Sequence, residues 1–235
     1  ARTQQLMQNV GIPLEYMRFR EVEKDERPFY SLGTWDFEVK TSLGWIELAA
    51  NNYRTDYDLK NHMKVSSTDI QYTTEETKKI IPHIWETSIG VDRTLYATLE
   101  QNYKKDNDRM VLDVPIKIAP IEVAIFPLTS KEEIKSIAQE IAKELQPFFD
   151  IFFDYKGSIG KMYRRMDEIG CPFMITVDFD TPKQKSVTLR EKNSMKQIRV
   201  KIDELKQTLF KLLNNEMSFE KAGVFDESLF IGEDT

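Results

Sequence analysis

Groups able to bind or polarise a charged substrate crowd into one short stretch, Ile81-Pro82-His83-Ile84-Trp85-Glu86-Thr87-Ser88-Ile89-Gly90-Val91-Asp92-Arg93. Its first part reads as a strand and its second as a helix, with Thr87 or Ser88 as the N-cap. A helix start offers free backbone N–H groups and a positive dipole end. Arg93 adds a permanent charge whose planar fork suits phosphate. Glu86 only accepts hydrogen bonds when ionised and suits an ammonium group. The same residues also fit a plainer arrangement, a capping serine and a surface arginine paired to Asp92 or a nearby acid. Chemistry alone leaves both readings open.

Other chemistries find less to work with. His62 and His83 lack metal-ligand spacing, and Cys171 has no CxxC partner. Ser88 has no adjacent histidine, so nucleophilic catalysis is not indicated, and there is no P-loop. Asp58 and His62 stand four apart and fit an ordinary helix-surface pair.

These residues need elements to position them. Tyr16–Val22, Trp35–Val39 and Trp45–Leu48 alternate apolar with charged residues, as half-buried strands do. Ser42-Leu43-Gly44 can turn the chain, so the last two runs read as an antiparallel hairpin with Glu38 and Glu47 facing the same side. Val91, Leu95 and Leu99 make an apolar helix stripe that runs to about Tyr103. Polarity rises over residues 104–118, the expected domain boundary. Beyond it strand and helix alternate. Ile121–Phe126 reads as a strand. Ser130 and Glu133 form a capping box, ahead of a helix carrying Ile134, Ile137, Ala138, Ile141, Ala142 and Leu145. Asp150–Tyr155 is a strand. Gly157–Gly160 is a loop, and Lys161–Ile169 a helix closed by Gly170. Pro172–Val177 and Val187–Leu189 are strands. Ile198, Ile202, Leu205, Leu209 and Leu212 stripe a final helix. The expected architecture is α/β: a first α+β domain over 1–112 built on an antiparallel sheet, then a mixed-sheet α/β domain over 113–235 that ends in an acidic tail.

Composition sets the frame. The chain has 235 residues, 40% of them hydrophobic and 31% charged, enough for two domains with packed cores and soluble surfaces. No apolar run can span a membrane, and the start shows no signal or transit pattern. The first residue is Ala1, which fits a fragment or a processed product. A single cysteine excludes an internal disulfide and fits a reducing compartment. The net charge is −6, yet residues 156–211 carry 13 Lys and Arg against 7 Asp and Glu. A basic block in an acidic chain suits an anionic partner, and equally a solvated face.

Glu86-Thr87-Ser88 leading into Gly90-Val91-Asp92-Arg93 resembles the third class II motif of the glycyl-tRNA synthetases, which typically carry Pro where Thr87 stands. Gly44-Trp45-Ile46-Glu47-Leu48 and Arg54-Thr55-Asp56-Tyr57-Asp58-Leu59 resemble the stretch between that family's second and third motifs. Ala50-Asn51-Asn52-Tyr53 replaces its more usual Gly-Ile-Ala-Asp, and Phe29 replaces a usual His. Tyr155–Lys161, Asp167–Gly170, Pro172-Phe173, Thr176–Asp178 and Val187–Arg190 resemble the anticodon-binding domain shared by several class II synthetases, with Asn193 where Asp is usual. The likeness is to the C-terminal part of the family's archaeal and eukaryotic form.

The resemblance implies a ligase that activates glycine with ATP and passes it to tRNA(Gly). By carry-over, Glu86, Ser88 and Arg54 line the glycine pocket. Arg93, Glu47 and Leu48 meet ATP, with Glu47 a ligand to the Mg²⁺ that accompanies it, and Arg93 and Glu47 are the catalytic pair. Lys161, Tyr163, Arg164, Arg165, Arg190, Lys192 and Arg199 are the tRNA-binding candidates. No structural metal, DNA or membrane partner is implied. A cytoplasmic homodimer is. The family's first and second motifs, which supply the dimer interface and an ATP-clamping arginine, are not found in these residues, so the chain alone is expected not to charge tRNA. The alternative is a synthetase-like accessory protein that binds nucleic acid without catalysis. Retention of Glu47, Arg54, Glu86, Ser88 and Arg93 favours the enzyme.

Overall fold

The computed structural model describes residues 2–225; the end of the acidic tail, 226–235, lies outside them. The chain forms two compact units that divide between Gln101 and Asn102.

In the first unit, α1 (Arg2–Asn9), β1 (Met17–Glu21), β2 (Gly33–Thr41), β3 (Gly44–Thr55), α2 (Tyr57–Ser66), the short pair β4 (Tyr72–Thr73) and β5 (Lys79–Ile80), β6 (Ile84–Ile89) and α3 (Val91–Asn102) follow one another. The main sheet is antiparallel, in the order β1-β2-β3-β6. Alternation gives it two unlike faces. Phe37, Val39, Leu48 and Ala49 turn to one side and pack with Met7 and Ile12 and with Ala97 of α3. Asp36 and Glu38 turn to the other. The expected hairpin is present, and Glu38 pairs with Glu47 across it. The apolar stripe expected on α3 does not bury: Val91, Leu95 and Leu99 are exposed, and Ala97 makes the core contact.

In the second unit, β7 (Tyr103–Asp106) and β8 (Arg109–Leu112) form a hairpin. There follow β9 (Val123–Pro127), α4 (Glu132–Leu145), β10 (Ile151–Phe153), α5 (Ile159–Ile169), β11 (Phe173–Val177), α6 (Thr181–Gln184), β12 (Ser186–Glu191), β13 (Gln197–Lys201), α7 (Ile202–Leu213) and β14 (Val224–Phe225). The six strands order as β10-β9-β11-β12-β13-β14, with β10, β9 and β11 parallel and the rest antiparallel. Alternation splits β9 between two cores. Val123 and Ile125 pack with α4 and α7, and Ala124 and Phe126 with α5.

Several local expectations change. The hairpin 103–112, read from sequence as the end of the first domain, belongs to the second unit. Arg109 explains this, because it bonds Asp167 of α5 and the Lys192 carbonyl. The capping box does not form: Lys131, not Ser130, is the N-cap of α4. Ile198 is a strand residue of β13 rather than the start of the last helix. Its spacing of four to Ile202 satisfied both periods, and pairing of β13 with β12 decided for the strand.

Candidate functional site

The polar face of the first sheet depends on a bulge in β3. Glu47 and Ala50 are three residues apart and would point to opposite faces of a regular strand. A bulge opposite Phe37 and Glu38 adds one residue to β3, so Glu47 pairs with Glu38 while Ala50 pairs with Asp36. Both then share the charged face. The extra residue, Leu48, is buried in the core, and its carbonyl accepts the Gly90 N–H at 2.8 Å. Leu48, an expected ATP contact, thus ties β3 to the start of α3 and keeps its side chain from any ligand. A second irregularity falls between Tyr53 and Thr55, beside Arg54, which keeps the parity of Ala50 and Asn52.

Across β3, the register sets Ser88 opposite Ala50 and Glu86 opposite Asn52. Ser88 lies inside β6 and is exposed. It does not cap α3, which starts at Val91, so the capping alternative is removed. Arg93 stands in the first turn of α3. A cation there opposes the helix dipole by about 0.3–1 kcal/mol, a local conflict of the kind that collects at functional sites. Glu47 offsets part of it, with Oε1 3.4 Å from Arg93 Nη2 in a half-exposed pair. Gly90 makes room for this guanidinium, because a Cβ at that position would come within 2.8 Å of Arg93 Nε.

Arg54 joins the same face. Its Nη1 donates to Glu86, and its Nε and Nη2 donate to Asp58 at 2.6 and 2.7 Å. The hydrogen bonds to Asp58 and Glu86 raise the Arg54 pKa above its ordinary value. The Arg54 bond in turn lowers the Asp58 carboxyl below its usual range. Asp58 therefore pairs with Arg54, not with His62 as its helix spacing suggested. The Tyr30 ring covers the guanidinium at 3.9 Å, a contact the sequence reading missed. Phe29 is exposed and packs edge-on against Tyr30 and Tyr57.

Beside these groups, Arg18 and Arg20 bond Glu38 at 2.6 and 3.1 Å, and Arg20 also bonds Asp36 at 2.8 Å. Glu38 is thereby spent on arginines, whereas Glu47 keeps an accessible carboxylate. A groove of about 460 Å³ on the opposite face, between Phe19, Trp35 and Trp85, collects none of the candidates.

Of the departures at 51–53 and 87, Asn51 and Thr87 bond one another, and Asn52 and Tyr53 find other partners. Thr87 Oγ1 donates to Asn51 Oδ1 at 3.0 Å, and Thr34 Oγ1 donates to Asn52 Oδ1 at 2.8 Å. Tyr53 Oη meets His83 Nδ1 at 2.5 Å. A buried amide would be costly without such partners. These contacts flank the register that sets Glu86 and Ser88 opposite Asn52 and Ala50.

In the second unit the tRNA candidates separate into two groups. Arg190 is buried, bonds Asp167 through both Nη atoms and lies 4.8 Å from the Tyr163 ring. Tyr163 is buried too; burial raises its pKa, and its hydroxyl meets Thr176 Oγ1 at 2.6 Å. Burial lowers the pKa of Lys192, which donates to the Leu112 carbonyl at 2.8 Å. Arg199 is held by Asp178, Ser186 and Thr188. Tyr163, Arg190 and Lys192 are buried and Arg199 is half-buried, and all four have partners within the domain. Lys161, Arg164 and Arg165 remain exposed on one face of α5, with Arg165 paired to Asp154 at 2.8 Å. Among the described residues no cluster of three or more acids, histidines or cysteines is arranged to hold a metal, and no helix is long and apolar enough to cross a membrane.

Comparison with known proteins adds independent findings. Residues 122–212 match the family model described as an anticodon binding domain. The chain is similar to a glycine–tRNA ligase of Mesoplasma florum, 41% identical over 210 residues that cover 87% of this chain and 46% of that protein. A Clostridium acetobutylicum glycine–tRNA ligase is 43% identical, with 86% and 44% covered. One from Pyrococcus horikoshii is 33% identical, with 88% and 50% covered. The chain thus spans about half the length of the curated relatives it matches. In structure it is similar to a prolyl-tRNA synthetase of Cryptosporidium parvum, solved with L-proline and AMP. That similarity has a TM-score of 0.62 at 18% identity and covers 91% of this chain and 47% of that one.

Proposed function

We propose, from the premise that this chain belongs to the glycyl-tRNA synthetase family, that the full-length protein is a glycine–tRNA ligase and that the polar face of the first sheet forms part of its adenylation site. The observation that supports this most is convergence. Glu47 and Arg54 on β3, Glu86 and Ser88 on β6, and Arg93 on α3 come from three elements to one accessible face.

The reaction needs no side-chain nucleophile. A glycine carboxylate oxygen attacks the α-phosphorus of ATP and pyrophosphate leaves. A tRNA terminal hydroxyl then attacks the glycyl carbonyl and AMP leaves. Catalysis is positioning plus charge stabilisation. Arg93 offsets negative charge on the phosphates. Glu86 receives the glycine ammonium. Ser88 occupies the space beside the Cα, so larger amino acids are rejected by clash. The accessible Glu47 carboxylate suits Mg²⁺ of the kind held mainly by phosphate oxygens and water, not by a protein cage. When bound, the ion would supply further neutralisation of the triphosphate. The second unit binds tRNA through the exposed cations of α5, Lys161, Arg164 and Arg165, since phosphate contacts dominate such affinity. A cytoplasmic homodimer completes the proposal.

The test is amino-acid-dependent ATP–pyrophosphate exchange by the full-length protein, screened across the standard amino acids. Exchange supported by glycine and not by alanine or serine is expected. Exchange with another amino acid, or with none, would overturn the proposal.

A further inference from the structure

Arg54 is engaged on three sides, and only its contact with Glu86 touches the glycine site proposed above, on which this inference rests. Its flat guanidinium lies under the Tyr30 ring at 3.9 Å. One edge makes a two-point contact with Asp58 at 2.6 and 2.7 Å, and the other donates to Glu86. Asp58 comes from the first turn of α2 and Tyr30 from the segment between β1 and β2. Two separate parts of the chain therefore converge on a residue of β3 that itself bonds Glu86. We propose that Asp58 and Tyr30 are positioning residues of the glycine site, which fix Arg54 and through it the Glu86 carboxylate that receives the ammonium group.

Geometry and charge both support this. A glutamate has several rotatable bonds, and a half-exposed one samples many rotamers unless a partner selects one. Arg54 selects it, but an arginine free to move selects nothing. The two-point contact with Asp58 fixes the guanidinium plane, and the Tyr30 face fixes its tilt. The charge argument is independent. Arg54 and Glu86 alone sum to zero and would attract an ammonium ion weakly. Asp58 makes the trio net negative, which restores the attraction. Arg54 itself lacks an acceptor and has most of its donors committed, so it is a positioning residue and not a direct ligand of the ammonium.

The test uses glycine-dependent ATP–pyrophosphate exchange by the full-length protein. The bound ammonium is present in ground and transition states alike, so weakening its site raises KM and spares kcat. Asp58→Asn is expected to raise the glycine KM about 10-fold, with kcat, the ATP KM and the melting temperature near wild type. Tyr30→Ala is expected to raise the glycine KM about 3-fold, and Tyr30→Phe, which keeps the ring, to recover most of that loss. A glycine KM unchanged in Asp58→Asn would overturn the proposal. So would equal rises in the glycine and ATP KM, the mark of general loosening. Should Asp58→Asn fail to fold, the Tyr30→Ala and Tyr30→Phe pair decides by the same criteria. A wild-type protein without glycine-dependent exchange sinks the adenylation reading, and this proposal with it. Exchange in wild type with unaltered variants sinks this proposal alone.

Discussion

Arg54 and Arg109 each bond two carboxylates, yet they stand in opposite situations. Arg54 lies on an open sheet face, its side chain 21% exposed, with three hydrogen bonds to side chains. Arg109 is 6% exposed and makes five, to Asp106 twice, to Asp167, and to the carbonyls of Lys192 and Asn193. Burial alone would lower the Arg109 pKa, but its bonds to Asp106 and Asp167 outweigh that and raise it. A guanidinium has five N–H donors. One with all of them committed in the interior holds the fold, and one at an accessible face can hold an accessible carboxylate in place. The contrast extends to their neighbours. Glu47, Glu86, Ser88 and Arg93 are accessible, while Tyr163, Arg190, Lys192 and Arg199 are closed in.

Removing the centre of the closed network should have the largest effect. Asp167 is 1% exposed and neutralises both Arg109 and Arg190. Asp167→Ala would leave two buried guanidinium groups short of a partner and should cost about 3–5 kcal/mol. Urea denaturation measures it, and a loss below about 1 kcal/mol would mean that the network is not what holds the second unit together.

Next comes the exposed set. Replacing Lys161, Arg164 and Arg165 together by Glu should weaken tRNA binding and flatten its log–log salt dependence by about 2. Binding isotherms at several salt concentrations test this, and an unchanged slope would make the α5 face a solvated surface only.

On the open face, Ser88→Gly should improve activation of alanine relative to glycine by roughly 10-fold, the worth of about one methyl group of space. An unchanged preference in pyrophosphate exchange would remove Ser88 from selection. The smallest effect should come from Thr87→Val, which deletes the hydroxyl bonded to Asn51 while keeping its volume. A loss of about 1 kcal/mol is expected in denaturation, and none would mean that the matched substitutions at 51 and 87 are independent.

The first unit's candidate residues could be placed on one face from sequence because they cluster around strands that alternate cleanly. Glu38 and Glu47 could be set on one side from parity and a turn. The bulge at Leu48 was not legible, since an extra residue in one strand leaves no mark in an alternating pattern. That is why the sequence does not show that the Leu48 side chain lies in the core. Tyr30 was missed for a related reason: its contact with Arg54 joins segments whose approach only the fold defines. In the second unit the basic block was visible as composition, but composition does not record that Arg190 meets Asp167 or that Arg199 meets Asp178. The strand Gln197–Lys201 was hidden because Ile198 and Ile202 satisfy a helical spacing as well.

Arg93 most directly tests the proposal that accessible cations act on substrate while buried ones hold the fold. It is half-exposed, and its only described ion pair, with Glu47, is a long one at 3.4 Å. Arg93→Ala in the full-length protein should therefore leave the melting temperature unchanged and cut glycine-dependent ATP–pyrophosphate exchange by ~100-fold or more, as expected for losing a preorganised charge at a reacting phosphate. Exchange near the wild-type rate, with or without a change in melting, would contradict the assignment of this face to adenylation.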